Sequence, residues 1–279
     1  MKKYLVLLMM GLVLFSTKSF AQFVDDAPGE GLFPQENAKV KPSPLPSIRK
    51  ADVMWAKRIW REVDFKQKMN QKFYYPVETR QDAKSFIVTI LDAVKAGELT
   101  AYDISNTDEL LIPVTYNDIV GRQIDTNHTV MRRPYPPYEE YDTVIITEFD
   151  PTKILRLRIK EDWYFDKSRS QMLVRIESMC PVIIKERDGE EGTEPLFWFS
   201  YNEARPVLAN SYVINPDNYA ARLSFDDVFI KRLFESYIYK EQNTFDRRIS
   251  QYALGIDALL ESKRIKQEMV DFEEFLWEY

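Results

Sequence analysis

The sequence has very few of the residues on which most enzyme chemistry depends. Among 279 residues there is one histidine, His128, and one cysteine, Cys180. One histidine is too few for a Ser-His-Asp triad or a histidine-rich metal site, and no H-E-x-x-H zinc motif occurs. The eight glycines form neither a P-loop nor a G-x-G-x-x-G motif, and the G-x-S-x-G nucleophile turn is absent. We therefore predict no enzyme activity, and no catalytic, cofactor-binding or metal-binding residues.

The lone cysteine also excludes an internal disulfide, so packing must stabilise the fold. Cys180 precedes a proline and has no histidine near it in sequence, and we interpret it as a buried small side chain rather than a nucleophile. The acidic pair Asp226 and Asp227 fits the start of a helix better than a glycosidase pair. Residues 160–162, Lys-Glu-Asp, are interpreted as a solvated strand end.

A long membrane-spanning run is also missing, and the apolar segment at the start has another explanation. Lysines precede an apolar run at residues 4–15, and small residues follow at positions 19 and 21. The run is shorter than the roughly 20 residues that span a bilayer. We therefore predict that residues 1–21 are a secretory signal peptide, cut before Gln22, rather than a membrane anchor. Because Cys180 lies far from this cut, it cannot carry lipid at the new N-terminus, and any membrane attachment would come from a partner.

Positive charge is not in excess. The net charge is −6, and residues 1–21 contain three lysines and no acid, so the remainder carries −9. This balance argues against binding to nucleic acid and against binding to an anionic membrane surface. The hydrophobic content of 45%, with 14% aromatic residues, excludes a wholly disordered chain.

Residues 22–47 are rich in proline, glycine and acidic residues and are predicted to form a flexible N-terminal arm. Two interpretations remain open for it. The arm is either a dangling tail or a segment that orders when it docks on a neighbour, with Val24, Leu32, Phe33 and Leu45 as anchors. The proline run at its end would act as a semi-rigid spacer in either case.

The clearest structural pattern is a pair of alternating segments at residues 155–165 and 172–177. In both, apolar residues recur at every second position, which is typical of strands. The polar residues 166–170 between them predict a hairpin turn, and Pro181 predicts the end of the second strand. With a further strand at 143–147, we expect an antiparallel meander as the central sheet.

Spacing of three and four residues predicts helices around this sheet. They are residues 48–65 after a cap at Ser47, 80–96 before Gly97, 224–237 after a cap at Ser224, 244–262 with an interruption near Gly255, and 263–279. The other segments are predicted to be short extended pieces (98–102 and 110–116), irregular chain (121–142 and 204–214) and an aromatic strand (196–201). The predicted class is α+β, an antiparallel meander packed with N-terminal and C-terminal helices, in one domain over residues 48–279.

Aromatic residues in exposed contexts are candidates for contact surfaces. Residues 131–138 contain three prolines and form, with neighbouring tyrosines, either a recognition surface or a packed crossover segment. The large apolar residues at the end of the chain are expected to dock on the domain or on another subunit.

Four groups of segments occur in order along residues 48–279. They are ADVMWAKRIWR at 51–61 with FYYP at 73–76; RIKEDWYFDK at 158–167 with VRI at 174–176 and CP at 180–181; LSFDDVF at 223–229 with SYIYKE at 236–241; and GIDALLE at 255–261 with LW at 276–277. In this combination the chain resembles the GldN/PorN family, the gliding-motility and type IX secretion proteins of the Bacteroidetes.

The resemblance implies a non-enzymatic, structural component of a periplasmic secretion and motility machine. Its implied partners are an outer-membrane lipoprotein of the GldK/PorK type, an inner-membrane motor protein of the GldM/PorM type, and further copies of itself in a ring beneath the outer membrane. It implies no cofactor, no nucleic acid and no direct membrane insertion. The alternative from the residues themselves is a secreted glycan-binding protein or hydrolase that stacks sugars on Tyr135, Tyr138 and Trp163.

Overall fold

The computed structural model describes residues 40–80, 83–104, 108–132, 134–136, 140–147, 149–187, 190–214 and 223–277. Its strands are β1 Val53–Asp64, β2 Ala101–Tyr102, β3 Pro113–Val114, β4 Asp125–Arg132, β5 Glu140–Thr147, β6 Ile154–Asp166, β7 Gln171–Arg187, β8 Glu190–Pro195, β9 Trp198–Ser200, β10 Tyr212–Val213, β11 Leu223–Ser224 and β12 Tyr237–Glu241. Its α-helices are α1 Gln71–Tyr74, α2 Phe86–Ala96, α3 Tyr116–Gly121, α4 Tyr201–Ala209, α5 Phe225–Ile230 and α6 Ile256–Trp277. Helices thus accompany a main antiparallel sheet, and the predicted α+β class is confirmed.

A long antiparallel hairpin of β6 and β7 occupies the middle of the main sheet. The two strands pair from Ile154 with Ile183 to Asp166 with Gln171, and residues 167–170 form the turn. β1 pairs along the other side of β6, which gives the order β12-β1-β6-β7-β9-β2-β3, with β8 also paired to β7. The predicted hairpin is confirmed because its alternating apolar residues are spaced as a strand requires.

β7 passes through Pro181 instead of ending there, contrary to the sequence prediction. The carbonyl group of Pro181 accepts a hydrogen bond from the Leu196 N–H. In a strand the nitrogen and the carbonyl group of one residue point to the same side, so the nitrogen of Pro181, which has no hydrogen to donate, faces away from β6. On that side the partner of β7 changes, from β9 at residues 178–179 to β8 at residues 182–187. A proline is tolerated at such a junction because the ladder is already interrupted there.

The predicted helix at residues 48–65 is wrong, and Ser47 caps no helix. The segment forms β1, which lies between β12 and β6 in the main sheet. Its apolar residues recur at three- and four-residue steps, but some also fit the two-residue period of a strand. Ile59 and Val63, for example, lie on the same face of β1. Both are β-branched and favour a strand. Because β1 is covered on both faces, its polar residues did not mark a wet face, and the alternation was hidden.

β4 and β5 form a separate two-stranded sheet, paired from Asp125 with Thr147 to Arg132 with Glu140. The sequence prediction of irregular chain at 121–142 is therefore wrong. A strand does form at residues 143–147, but its partner is β4 rather than a strand of the central sheet. The polar start of β4 has no apolar alternation, and a period-two pattern could not detect it.

α4 forms where irregular chain was predicted, at residues 204–214. Pro206 lies inside this helix, and a proline in a helix interior removes a hydrogen bond and costs about 3 kcal/mol. The buried side chains of Tyr201, Ala204 and Leu208 offset that cost. They pack into the main core, where α4 contacts β7 and β9.

Two predicted helix ends are confirmed, and one extent is corrected. Gly97 follows α2 in the left-handed conformation, with φ of 75°, as is usual for a glycine that ends a helix. Ser224 caps α5 and forms a reciprocal capping box with Asp227. α5 nevertheless ends at Ile230, and Tyr237, which was expected to lie on this helix, begins β12.

The C-terminal region contains one long helix rather than the two that were predicted. α6 starts at Ile256, directly after Gly255, which has a φ of 56°. The residues before it contain only a 3-10 turn at Ile249–Gln251. The glycine was correctly identified as an interruption, but it marks the start of the helix and not a kink within it.

The main core lies between one face of the sheet and helices α2, α4 and α5. Phe73 lies near its centre and is fully buried. Its ring centroid is between 5.2 and 6.5 Å from those of Phe65, Phe86, Phe225, Phe229 and Phe234. A smaller cluster lies under α6, and a third, around Trp60 and Cys180, lies on the opposite face of the sheet.

Replacing Phe73 by alanine is expected to lower the free energy of unfolding by about 3–5 kcal/mol, because the cavity would open among five other aromatic rings. Urea denaturation of the purified chain measures this loss. Phe245, with 72% of its surface exposed, is the matched control, and Phe245→Ala should change the free energy by no more than about 0.5 kcal/mol. Similar losses in the two variants would contradict the assignment of Phe73 to the core.

Candidate interaction surfaces and buried charge networks

The structure describes the side chain of one of the two residue types that are scarce in the sequence, Cys180. Cys180 is fully buried, and burial raises the pKa of its thiol to about 12. It is the buried small side chain that the sequence predicted. His128 lies in β4, and its side chain is outside the described residues. Within the described ranges, no group of three or more His, Cys, Asp or Glu side chains has the arrangement of a metal site.

Glu62 is the centre of a buried charge network on one face of the main sheet. Its carboxylate lies 2.9 Å from a nitrogen of Arg156 and 3.0 Å from one of Arg158, and it accepts a hydrogen bond from the Tyr237 hydroxyl. Burial opposes ionisation of Glu62. The Tyr237 hydrogen bond and the charge of Arg158 outweigh burial, and the pKa of Glu62 is lowered. The network ties β1, β6 and β12 together.

Glu161 is the corresponding buried charge on the opposite face. It is fully buried, and its carboxylate lies 3.2 Å from Arg61 Nε and 3.0 Å from Arg232 Nη1. The neighbouring Lys160 is also buried. The predicted solvated strand end at residues 160–162 is therefore wrong. Three consecutive charged residues suggested solvent, but in a strand they alternate between faces, and here each face supplies ion-pair partners.

Asp226 and Asp227 have different roles at the start of α5. Asp227 completes the cap with Ser224, as the helix-start interpretation predicted. Asp226 is buried, lies 3.0 Å from two nitrogens of Arg205, and accepts a hydrogen bond of 2.7 Å from the Tyr201 hydroxyl. This bidentate pair joins α5 to α4. No local sequence pattern predicts this pair, because the two partners lie 21 residues apart.

The residues proposed to stack sugars are not brought together by the described structure. Trp163 is half-buried, and the guanidinium groups of Arg61 and Arg232 lie 5.5 and 5.4 Å from its ring centroid. Its ring is thus engaged within the protein by cation–π contacts. Tyr135 is 77% exposed, and Tyr138 lies outside the described residues.

Residues 40–47, which we call the strap, are bound to the domain by side chains of β7 and α4. Arg205 and Arg175 each donate a hydrogen bond to a strap carbonyl group. The side chain of Asn210 exchanges two hydrogen bonds, of 2.7 and 3.1 Å, with the backbone of Val40. The path of the chain is therefore defined from Val40 onward. The sequence predicted the spacer but gave no sign of the arginines that hold it.

A groove of about 430 Å³ adjoins the strap, between Ile48 and the open face of the sheet. Three of its four charged side chains are in ion pairs: Arg58 lies 2.7 Å from Asp162, and Lys57 lies 2.6 Å from Glu241. The fourth, Arg175, donates a hydrogen bond to the carbonyl group of Pro46 in the strap.

An exposed apolar patch surrounds the start of α6. It comprises, with exposed fractions, Phe245 (72%), Tyr252 (47%), Leu254 (78%), Ile256 (75%), Leu259 (54%) and Leu260 (56%). The opposite side of α6 packs on the sheet through Ile265 and Met269. Exposed apolar clusters of this kind mark sites where another macromolecule binds. The sequence signal was available: Leu260 lies on the helix face opposite the buried Ile265 and Met269, and Leu259 lies on the flank of that face.

None of the helices in the described part of the chain combines the length and apolarity of a membrane span.

A family model described as "Gliding motility associated protein GldN" matches residues 48–278. The matched region begins just before β1 and includes α6 to its end, so it contains all the strands and helices of the described residues. No curated protein matches the chain.

Replacing Glu62 by glutamine is expected to destabilise the protein by about 3–5 kcal/mol at pH 7, because two guanidinium groups lose their buried counter-charge. The pKa of Glu62 is lowered by folding. Its stabilising contribution is therefore complete above the unfolded-state pKa of about 4.3 and is lost as the pH falls through the lower folded-state value.

The free energies of unfolding of the wild type and of Glu62→Gln should thus converge as the pH falls below about 4.3. Denaturant unfolding across this pH range measures the convergence. Glu274→Gln, which removes an exposed carboxylate, is the control and should track the wild type. A difference that is constant with pH would exclude an ionised Glu62 as its source.

Proposed function

The chain belongs to the GldN family of gliding motility associated proteins, and from that membership we propose that it is a non-enzymatic structural part of a periplasmic ring. In this proposal the ring is formed with an outer-membrane lipoprotein of the GldK/PorK type. It is coupled to an inner-membrane motor protein of the GldM/PorM type. The family match over residues 48–278 is the observation that carries the proposal, and it makes the chain a component of the gliding motility and type IX secretion machinery.

The construction of the main sheet supports a role in transmitting force. β6 is paired along its length with β1 on one side and β7 on the other. Buried ion pairs lie on both faces of these strands, and removing one partner of a buried pair costs about 3–5 kcal/mol. Relative sliding of the strands would break these pairs together. A ring subunit that transmits force from a motor needs resistance of this kind.

Attachment to the outer membrane through a partner is the second part of the proposal. Residues 1–21 have the composition of a leader that directs export, and the cysteine of the chain is buried at position 180. A buried thiol is not available for attachment of a lipid. We therefore assign the membrane attachment to the lipoprotein partner and place the chain in the periplasm.

Surfaces for several partners are needed in such a ring, and two features of the described residues meet that need. The apolar patch is exposed on α6, and the strap brings the N-terminal arm to a defined starting point beside α4. Large aromatic and aliphatic side chains concentrate binding energy at protein interfaces. In the proposal these features join subunits, and the motor protein acts on the assembled ring.

Co-purification of the chain from residue 22 with a GldK/PorK-type lipoprotein is expected to yield large ring-shaped particles, visible by electron microscopy and sized by light scattering. Neither protein alone should give particles of that size. An unrelated periplasmic lipoprotein serves as the control partner. The periplasmic part of the motor protein, added to the ring, should co-sediment with it at near-physiological salt.

A monomer that ignores the lipoprotein would overturn the ring proposal. If such a monomer instead co-sedimented with peptidoglycan, the glycan-binding alternative would replace it. The engaged position of Trp163 leads us to expect no such binding.

A further inference from the structure

We propose that residues 22–39 of one copy, the distal arm, bind the apolar patch of a second copy. The contact joins subunits head to tail. The family match says nothing about a contact between these two parts of the chain. The inference rests on the proposed function, in that it names the contact between copies within the ring.

The patch has the chemistry of a receptor for an apolar segment with acidic flanks. No described residue covers its six side chains, which are between 47% and 78% exposed. Three cations border it. Arg247 lies 4.5 Å from the ring centroid of Phe245 and 5.9 Å from that of Tyr252, and Lys263 and Lys266 follow Leu259 at helical spacing.

These cations have no acidic partner within the described residues. Three acidic residues also lie nearby. Asp246 is paired with Lys240 at 2.6 Å and Glu261 with Arg264 at 2.7 Å, which leaves Asp257 in the first turn of α6. The border of the patch is therefore cationic on balance. Buried apolar contact would supply the affinity, and the charges at the rim would select and orient the partner.

The distal arm has the complementary pattern. Phe23 and Val24 precede two aspartates, and Leu32 and Phe33 are flanked by Glu30 and Glu36. The segment has four acidic residues and one lysine. Its apolar residues are too few and too widely separated by proline and glycine to bury themselves, so they need a surface on another body.

Val40, the first described residue after the distal arm, lies near one edge of the main sheet, and the patch lies near the other edge. Val40 is held by Asn210, directly after α4, which lies against β7 and β9. The patch lies on α6, which packs on β12 and β1. These two pairs of strands are on opposite sides of β6. If the arm of one copy binds the patch of the next, the two copies use different surfaces, and the contact is heterologous. Heterologous contacts generate a closed ring when the rotation from copy to copy adds up to a full turn.

The length of the distal arm suits this contact. Eighteen residues span at most about 60 Å when fully extended. The same length would also permit an arm to fold back on its own patch, and the experiment has to separate these two arrangements.

Cysteine cross-linking in the chain from residue 22 tests the contact directly. The native Cys180 is fully buried and does not interfere. One variant carries Phe33→Cys, and a second, with a different mass tag, carries Leu259→Cys. After mixing and mild oxidation, disulfide-linked hetero-pairs should form at least about tenfold more efficiently than with a control cysteine outside the interface, because only an interface holds the two thiols together.

Met69→Cys is the matched control, because Met69 is 56% exposed and Leu259 is 54% exposed. A second measurement uses a synthetic peptide of residues 22–39. Added in excess, it should suppress the Phe33→Cys/Leu259→Cys cross-link, whereas a peptide with aspartate at positions 32 and 33 should not. Circular dichroism confirms that each variant is folded.

Each other outcome overturns the inference. Linkage of Leu259→Cys to itself would show a symmetric patch-to-patch contact. A chain with both cysteines that links only within itself would show an arm folded on its own copy. Equal linkage to Met69→Cys, or none, would remove the arm from the interface. If the ring with the lipoprotein still assembles in these cases, the proposed function stands without this contact. If the cross-link forms but no ring assembles with the lipoprotein, the contact between copies stands and the proposed function is wrong.

Discussion

Two buried carboxylates fix how the central strands pair. Glu62 of β1 and Glu161 of β6 point to opposite faces of the sheet, and each meets two arginines there. Because side chains alternate along a strand, a slip of one residue would move both carboxylates to the wrong face. Each would then be buried without a counter-charge, at a cost of several kcal/mol. One register of β12, β1 and β6 is therefore strongly favoured over its neighbours, and the helices can pack against a defined surface.

The strand predictions were correct for β6 and β7, in which apolar residues alternate and the connecting turn is polar. The predictions failed for β1, which is covered on both faces. In β1, Ile59 and Val63 face one cover and Trp60 the other, so apolar residues appear at nearly every spacing and mimic a helix. The predictions failed again for β4, whose start is polar throughout. Local patterns identify strands only when the environment on the two faces differs.

The candidate surfaces were harder to predict than the fold, for a related reason. The helix caps at Gly97 and Ser224 depend on neighbours within four residues, and the sequence shows them. The pair of Asp226 with Arg205 and the bonds from Arg175 and Arg205 to the strap join distant positions. Whether a leucine is core or surface depends on which helix face meets the sheet. The family, in contrast, was recognisable from motifs, because they sample the whole domain.

The helix that carries the patch is attached to the rest by a small cluster. Ile265 and Met269 pack on Ile59, Ile238 and Ile249, and Phe272 adds a ring contact of 4.9 Å to Trp55. The phenylalanine-rich core under the other helices is far larger. Proteins open in units whose free energies follow such differences in burial. By this principle we expect α6 to open at a lower free energy than the helices over the main core. A partner that binds the exposed side of α6 is then expected to slow hydrogen exchange in this helix before it changes exchange in the main core.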